Sequence, residues 1–183
     1  MRLLLVAAGF GALFLLPLLG MIVFVQARAK RRMAELRGPW GQLAQRHGGR
    51  FLEGAGFTGS QIQIQRQTHA VEVKMTLVSV MTAASVPYYP DGGTFTEVIV
   101  HLYPQLGYAF VPPGVATQEL VDHTRVPLLA HLGLQAKIFL DAHSARIVFP
   151  GVQMNAALLD TAIQSLESVT GLVMQHGPLP AAA

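Results

Sequence analysis

Hydrophobic and polar positions follow three different rhythms along this chain. From Leu3 to Val25 no charged side chain interrupts the run, and 19 of its 23 residues are apolar, the exceptions being Gly9, Gly11, Pro17 and Gly20. At about 1.5 Å per residue such a helix is about 35 Å long, enough to cross a hydrocarbon core of about 30 Å. A core helix of a soluble domain shows a polar face, and this run has none. The pattern predicts a transmembrane anchor over residues 1–26. A cleaved signal peptide is the competing reading, because Ala27-Arg28-Ala29 has the small-x-small form of a cleavage site. Signal cores are shorter, about 7–15 residues, and the Lys30-Arg31-Arg32 that follows opposes export.

The second rhythm is helical. Pro39 follows Gly38 and suits the first turn of a helix; Trp40, Leu43 and Ala44 then share one face, and Gly48-Gly49 can close it. A short helix over Pro39–His47, starting afresh after the anchor, is the expectation. Thr117 can cap a helix running to Thr124, with Pro127 leaving room for a kink or a second short helix ending at Gly133. The clearest helix spans Asn155–Thr170. Leu158, Leu159, Ala162, Ile163, Leu166 and Val169 form its stripe, Asp160, Gln164 and Glu167 face outward, and Gly171 caps it.

The third rhythm is alternation. Gln61-Ile62-Gln63-Ile64-Gln65 alternates strictly, and Ala70–Val80 continues it beyond a turn at Gln67-Thr68-His69. Phe95–Tyr103 reads as a strand after a Pro- and Gly-rich loop at 83–93. Tyr108–Val111 reads as a short strand. Ala136–Leu140 and Ala145–Phe149 form a hairpin turning at Asp141–Ser144, and Leu172-Val173-Met174 adds a last edge strand. Strands followed by helices and a hairpin indicate an α+β domain with a mainly antiparallel sheet and two to three packed helices. The expected organisation is an anchor at 1–26, a basic juxtamembrane segment at 27–38, the α+β domain at 39–176 and a mobile tail at 177–183.

Charge refines this picture. The 183 residues carry a formal net charge of +3, which taken alone suggests an anionic partner. Residues 26–50, however, hold seven basic residues against Glu35, whereas residues 51–183 hold five basic against nine acidic. The folded part has no phosphate-tracking stripe, so nucleic acid is not an expected partner. Arg28, Lys30, Arg31 and Arg32 flank the apolar run on one side only, which places them at the cytoplasmic face with the domain behind them. In a bacterium this is a single-pass protein of the inner membrane, with the lipid bilayer as its first partner. Each such residue near an anionic leaflet contributes about 1 kcal/mol.

Candidate chemistry is sparse. Gly54-Ala55-Gly56-Phe57-Thr58-Gly59 has the G-x-G-x-x-G form, but a strand follows where a phosphate-binding helix is required. Val71-Glu72-Val73-Lys74 looks like the lysine strand of protein kinases, yet no H-R-D or D-F-G accompanies it. With no cysteine, thiol catalysis and disulfides are excluded. No G-x-S-x-G is present. Asp141-x-His143 is the nearest approach to a metal pair, which His123 and Glu119, spaced i, i+4 on the expected helix, would have to complete. A polar hairpin turn explains the same residues, so no metal, cofactor or catalytic residue is assigned. Tyr88 and Tyr89, between Pro87 and Pro90, form an aromatic loop tip suited to contact with a protein partner.

The order Trp40, Leu43-Ala44, Gly48-Gly49-Arg50-Phe51, Ile62–Ile64, Val71–Val73 and Phe95-Thr96-Glu97-Val98 resembles bacterial single-span proteins that carry a small domain of unknown function just after the anchor. The resemblance covers about the first hundred residues and implies no activity and no site. The expected function is a membrane-tethered, non-enzymatic binding or scaffolding domain, such as a small subunit of a membrane assembly. The alternatives are a metal-assisted enzyme using Asp141, His143 and His123, and a lipid-binding or lipid-sensing domain.

Overall fold

The computed structural model describes residues 20, 23–24, 27, 31, 34–54, 59–78, 93–112, 114, 118–119 and 136–179. The chain divides into two units, Met1–Glu35 and Leu36–Ala183. In the first, the described residues Gly20, Val23, Phe24, Ala27, Arg31, Ala34 and Glu35 are helical and exposed. Among the described residues no helix is long and apolar enough to cross a membrane, and the run from Leu3 to Val25 contributes only Gly20, Val23 and Phe24 to them.

The second unit is α+β. Helix α1 covers residues 36–46. Among the described residues seven strands follow: β1 (Arg50–Leu52), β2 (Gln61–Gln65), β3 (His69–Val78), β4 (Gly93–Leu102), β5 (Gln118–Glu119), β6 (Lys137–Leu140) and β7 (Ser144–Pro150), with α2 (Ala156–His176) last. They form one antiparallel sheet in the order β1-β2-β3-β4-β7-β6-β5. Alternation builds its inner face. Ile62 pairs with Val73, Val73 with Val98, Val98 with Ile147 and Ile147 with Ile138, so one apolar row crosses five strands. Both helices close this face, contributing Leu36, Trp40, Leu43 and Ala44 from α1 and Leu159, Ala162, Ile163, Leu166, Val169 and Val173 from α2.

The strand expected at Gln61–Gln65 is β2 residue for residue, and the expected hairpin is β6–β7, with its strands at Lys137–Leu140 and Ser144–Pro150. The helix expected from Asn155 starts at Ala156, and Asn155 caps it by accepting from the N–H groups of Ala157 and Leu158. The α1 terminus is a Schellman cap. Gly48 has φ of 66°, its N–H donates to Gln45 O, and the Gly49 N–H donates to Ala44 O at 2.7 Å.

Other expectations are corrected. The helix does not begin at Pro39, because residues 36–38 are already helical. Leu36 lies four residues before Trp40 and is fully buried, so it extends the same stripe and outweighs the proline's missing donor. Gly171 does not end α2 and Leu172-Val173-Met174 is not a strand; the helix runs to His176, because Val173 continues the stripe from Val169 and Thr170. Tyr108–Val111 is not a strand either. A 3₁₀ turn at Pro104–Leu106 ends at Gly107 (φ 72°), and Phe110 then bonds to Ala142 O and to Leu179 N rather than to a ladder. Those bonds also dock the first residues of the expected tail, with Leu179 packed on the core. Gln118–Glu119 is strand rather than helix, paired with Leu140 and Phe139. The remainder of the expected helices at 117–133, and the loop 83–92, lie outside the described residues.

Candidate functional site

Few of the residues singled out by sequence fall among the described ones. Arg28, Lys30 and Arg32 lie outside the described residues, as do Tyr88, Tyr89, His123 and residues 55–58 of the glycine-rich segment; Arg31 is helical and exposed. Asp141 and His143 are placed and explained. Asp141 Oδ1 accepts from the His143 N–H at 2.9 Å and the Ser144 N–H at 2.6 Å, while Oδ2 accepts from Ser144 Oγ at 2.5 Å. The carboxylate holds the β6–β7 turn in shape. Among the described residues no group of three or more His, Asp or Glu side chains is arranged to hold a metal.

Other charged groups do converge, and among them Asp160 and Glu167 were expected on an outward helix face. On α2, Asp160 and Glu167 fall seven residues apart, two turns along one face. Asp160 takes His47 Nε2 at 2.6 Å on one oxygen and Arg46 Nη1 at 2.7 Å on the other, and Gln164 adds a third donor at 3.2 Å. Burial alone would raise the Asp160 carboxyl. The hydrogen bonds from His47 and Arg46 outweigh it, so the group is held below its ordinary value. Two turns on, Glu167 Oε1 accepts from Arg66 Nε at 2.8 Å, with His69 Nε2 3.5 Å away. Arg66 also donates through Nη1 to His47 O at 2.9 Å, satisfying a carbonyl left free at the end of α1. One polar seam therefore joins the end of α1, the β2–β3 turn and α2.

The other face of the sheet carries a second cluster. Glu97 on β4 is fully buried; Thr76 Oγ1 donates to its Oε1 and Arg146 Nη1 to its Oε2 at 3.1 Å. Beside it, Val78, Phe139 and Val148 form a small apolar group with Phe95 packed on it. Toward β2 the same face becomes polar. Glu72 lies 3.7 Å from His101 Nε2 and 3.6 Å from Lys74 Nζ, and the hydrogen bond from His101, aided by Lys74, holds its carboxyl below the ordinary value against the effect of burial.

The sequence signal for these clusters was present but ambiguous. Glu97 breaks the apolar run of β4 at Val98-Ile99-Val100, and His47 sits between an arginine and a double glycine. Neither position names its partners: Arg146 lies 49 residues from Glu97, and Asp160 lies 113 residues from His47. Chemically, every one of these carboxylates accepts hydrogen bonds or ion pairs from neighbouring strands or helices, which is what positions the elements. Comparison with known proteins adds no relative: no family model, no curated protein and no solved structure gives a significant match to the chain.

Proposed function

We propose that this chain is a single-pass membrane protein whose α+β domain serves as a tethered binding or scaffolding module, such as a small subunit of a membrane assembly. The observation that carries the reading is the uncharged run Leu3–Val25 followed at once by Arg28, Lys30, Arg31 and Arg32. The run is long enough to span a bilayer, and the basic cluster retains it with the domain on the cytoplasmic side. A binding role draws support from the described acids. Asp160, Glu97 and Glu167 are each engaged with groups of neighbouring elements, and Asp141 with its own turn, a use that builds a scaffold. The aromatic tip Tyr88-Tyr89 is the contact surface proposed for the protein partner.

Reporter fusions at Ala183 test the placement. The reading expects a fluorescent cytoplasmic reporter in the membrane fraction and an inactive alkaline phosphatase fusion. Active phosphatase would reverse the orientation, and reporter signal in the soluble fraction would remove the anchor. Neutralising Arg28, Lys30, Arg31 and Arg32 together should weaken or invert the topology.

A further inference from the structure

His69 opens β3, directly after the turn closed by the Arg66 N–H donating to His69 O at 2.9 Å. Its side chain is largely buried, at 12% exposure. Nδ1 shares a hydrogen bond with Thr68 Oγ1 at 2.9 Å, while Nε2 is fully buried and makes no hydrogen bond. The nearest acid is Glu167 of α2, 3.5 Å away, and the oxygen that faces the ring is the one already taken by Arg66 Nε at 2.8 Å. A neutral imidazole tolerates this arrangement, since one of its nitrogens need not donate. An imidazolium is disfavoured there, because it would carry its charge while largely buried and the Glu167 oxygen within reach is shared with Arg66. It carries N–H on both nitrogens and sits beside a guanidinium that holds the only acid in reach among the described residues.

We propose that the β2–β3 turn is a proton-sensitive latch on α2, closed while His69 is neutral and opened when its ring takes up one proton from water. Opening lets the cation hydrate. It also withdraws Arg66 from Glu167 and from His47 O, so the hold of the turn on the end of α1 is released with it. The charged and titratable groups around the ring are few. Glu167 faces it from α2 and Arg66 from the turn; Tyr103, after β4, bonds through its hydroxyl to Gln65 and to Arg66 O. His47, Arg46 and Asp160 form the neighbouring cluster along the seam. Burial is the dominant influence on His69 and lowers it below the ordinary 6.5; the attraction of Glu167 opposes this and Arg66 reinforces it. A group lowered in this way favours the closed turn above pH 6.5, and that preference is lost as pH falls through the closed-state value.

Hydrogen–deuterium exchange of the full chain in detergent micelles, corrected for intrinsic exchange, tests the latch at pH 7.5 and 5.5. Residues 66–69 should exchange faster at the lower pH, with a slope of up to about tenfold per pH unit, while β4 and β7 change little. In His69→Gln, which keeps a polar side chain but cannot take the proton, the acceleration should vanish. Equal acceleration in His69→Gln, or none in the wild type, overturns the proposal. Glu167→Gln removes the acid that holds Arg66 and should leave residues 66–69 exchanging fast at both pH values. Slow exchange at pH 7.5 in that variant overturns the proposal as well.

Discussion

The Trp40 indole N–H donates to the backbone oxygen of Gln153 at 3.0 Å, joining positions 113 residues apart. The bond ties α1 to the segment between β7 and α2, and it satisfies the one polar atom of a side chain that is otherwise completely buried. Burial of the ring supplies most of the stabilisation and the N–H supplies the orientation.

Trp40→Phe separates these two contributions. The substitution keeps most of the apolar area but leaves Gln153 O without its donor, so a loss of about 1–2 kcal/mol is expected. Trp40→Ala empties the site and should cost about 3–5 kcal/mol. Because Trp40 is the sole tryptophan, circular dichroism during denaturant unfolding is the measurement. A Trp40→Phe cost equal to that of Trp40→Ala would show that the hydrogen bond dominates.

Glycines distinguish the observed α2 from the shorter helix that its sequence predicts. Gly171 lies inside the helix, with open space where a Cβ would stand. Gly171→Ala should therefore raise stability by about 1 kcal/mol, whereas at a left-handed cap the same change would lower it. Gly59 is the opposite case. A Cβ there would stand 2.1 Å from Met75 O, a backbone atom of the neighbouring strand that cannot step aside. Gly59→Ala should destabilise the domain by several times the gain at Gly171. Thermal melts of the two variants, run side by side, check both signs.

The contrast shows where sequence reading succeeds. Alternation is a local property with period two, and at Gln61–Gln65 the glutamines and isoleucines declare their faces without reference to anything distant. The ends of elements are harder. Gly171 is a good local stop signal, yet Val173 finds a place in the core and the helix continues. The polar seam was the least legible part. Asp160, Gln164 and Glu167 read as a solvated helix face, and nothing within α2 reveals that Arg46, His47 and Arg66 come to meet them. The proposed anchor is the reverse case, since what supports it is wholly in the sequence, in residues 3–25 and the basic residues after them.

Acid should act on Asp160 at lower pH than it acts on His69. The folded-state carboxyl lies below 3.8, so the stabilisation contributed by its ionised form is complete above that value and is lost as pH falls through the folded one. Glu72 behaves alike below 4.5. Denaturant midpoints measured from pH 7 to pH 3 should fall more steeply at the acid end for the wild type than for Asp160→Asn. The variant starts less stable, having lost its ion pair with Arg46 and weakened its hydrogen bond with His47, and has less to lose. Parallel curves would mean that Asp160 contributes nothing to the acid response.

The binding reading and the metal-assisted reading separate on two double variants. Asp141→Ala with His143→Ala removes the pair that the sequence offers for a metal. Because Asp141 accepts three hydrogen bonds within its turn, the cost should be about 1–2 kcal/mol of stability, more than an ordinary surface turn would show, with no change in bound metal. Tyr88→Ala with Tyr89→Ala should leave the unfolding midpoint in place and reduce partner recovery from mildly solubilised membranes. A contact aromatic worth about 2 kcal/mol corresponds to a loss of affinity of about thirtyfold. The measurements are elemental analysis of the purified full chain and quantitative pull-down from membranes. Stoichiometric metal in the wild type that disappears with Asp141 and His143 would overturn the binding reading in favour of the metal-assisted one. Undiminished recovery in the tyrosine variant would remove Tyr88 and Tyr89 as the contact and direct the search to another surface of the domain.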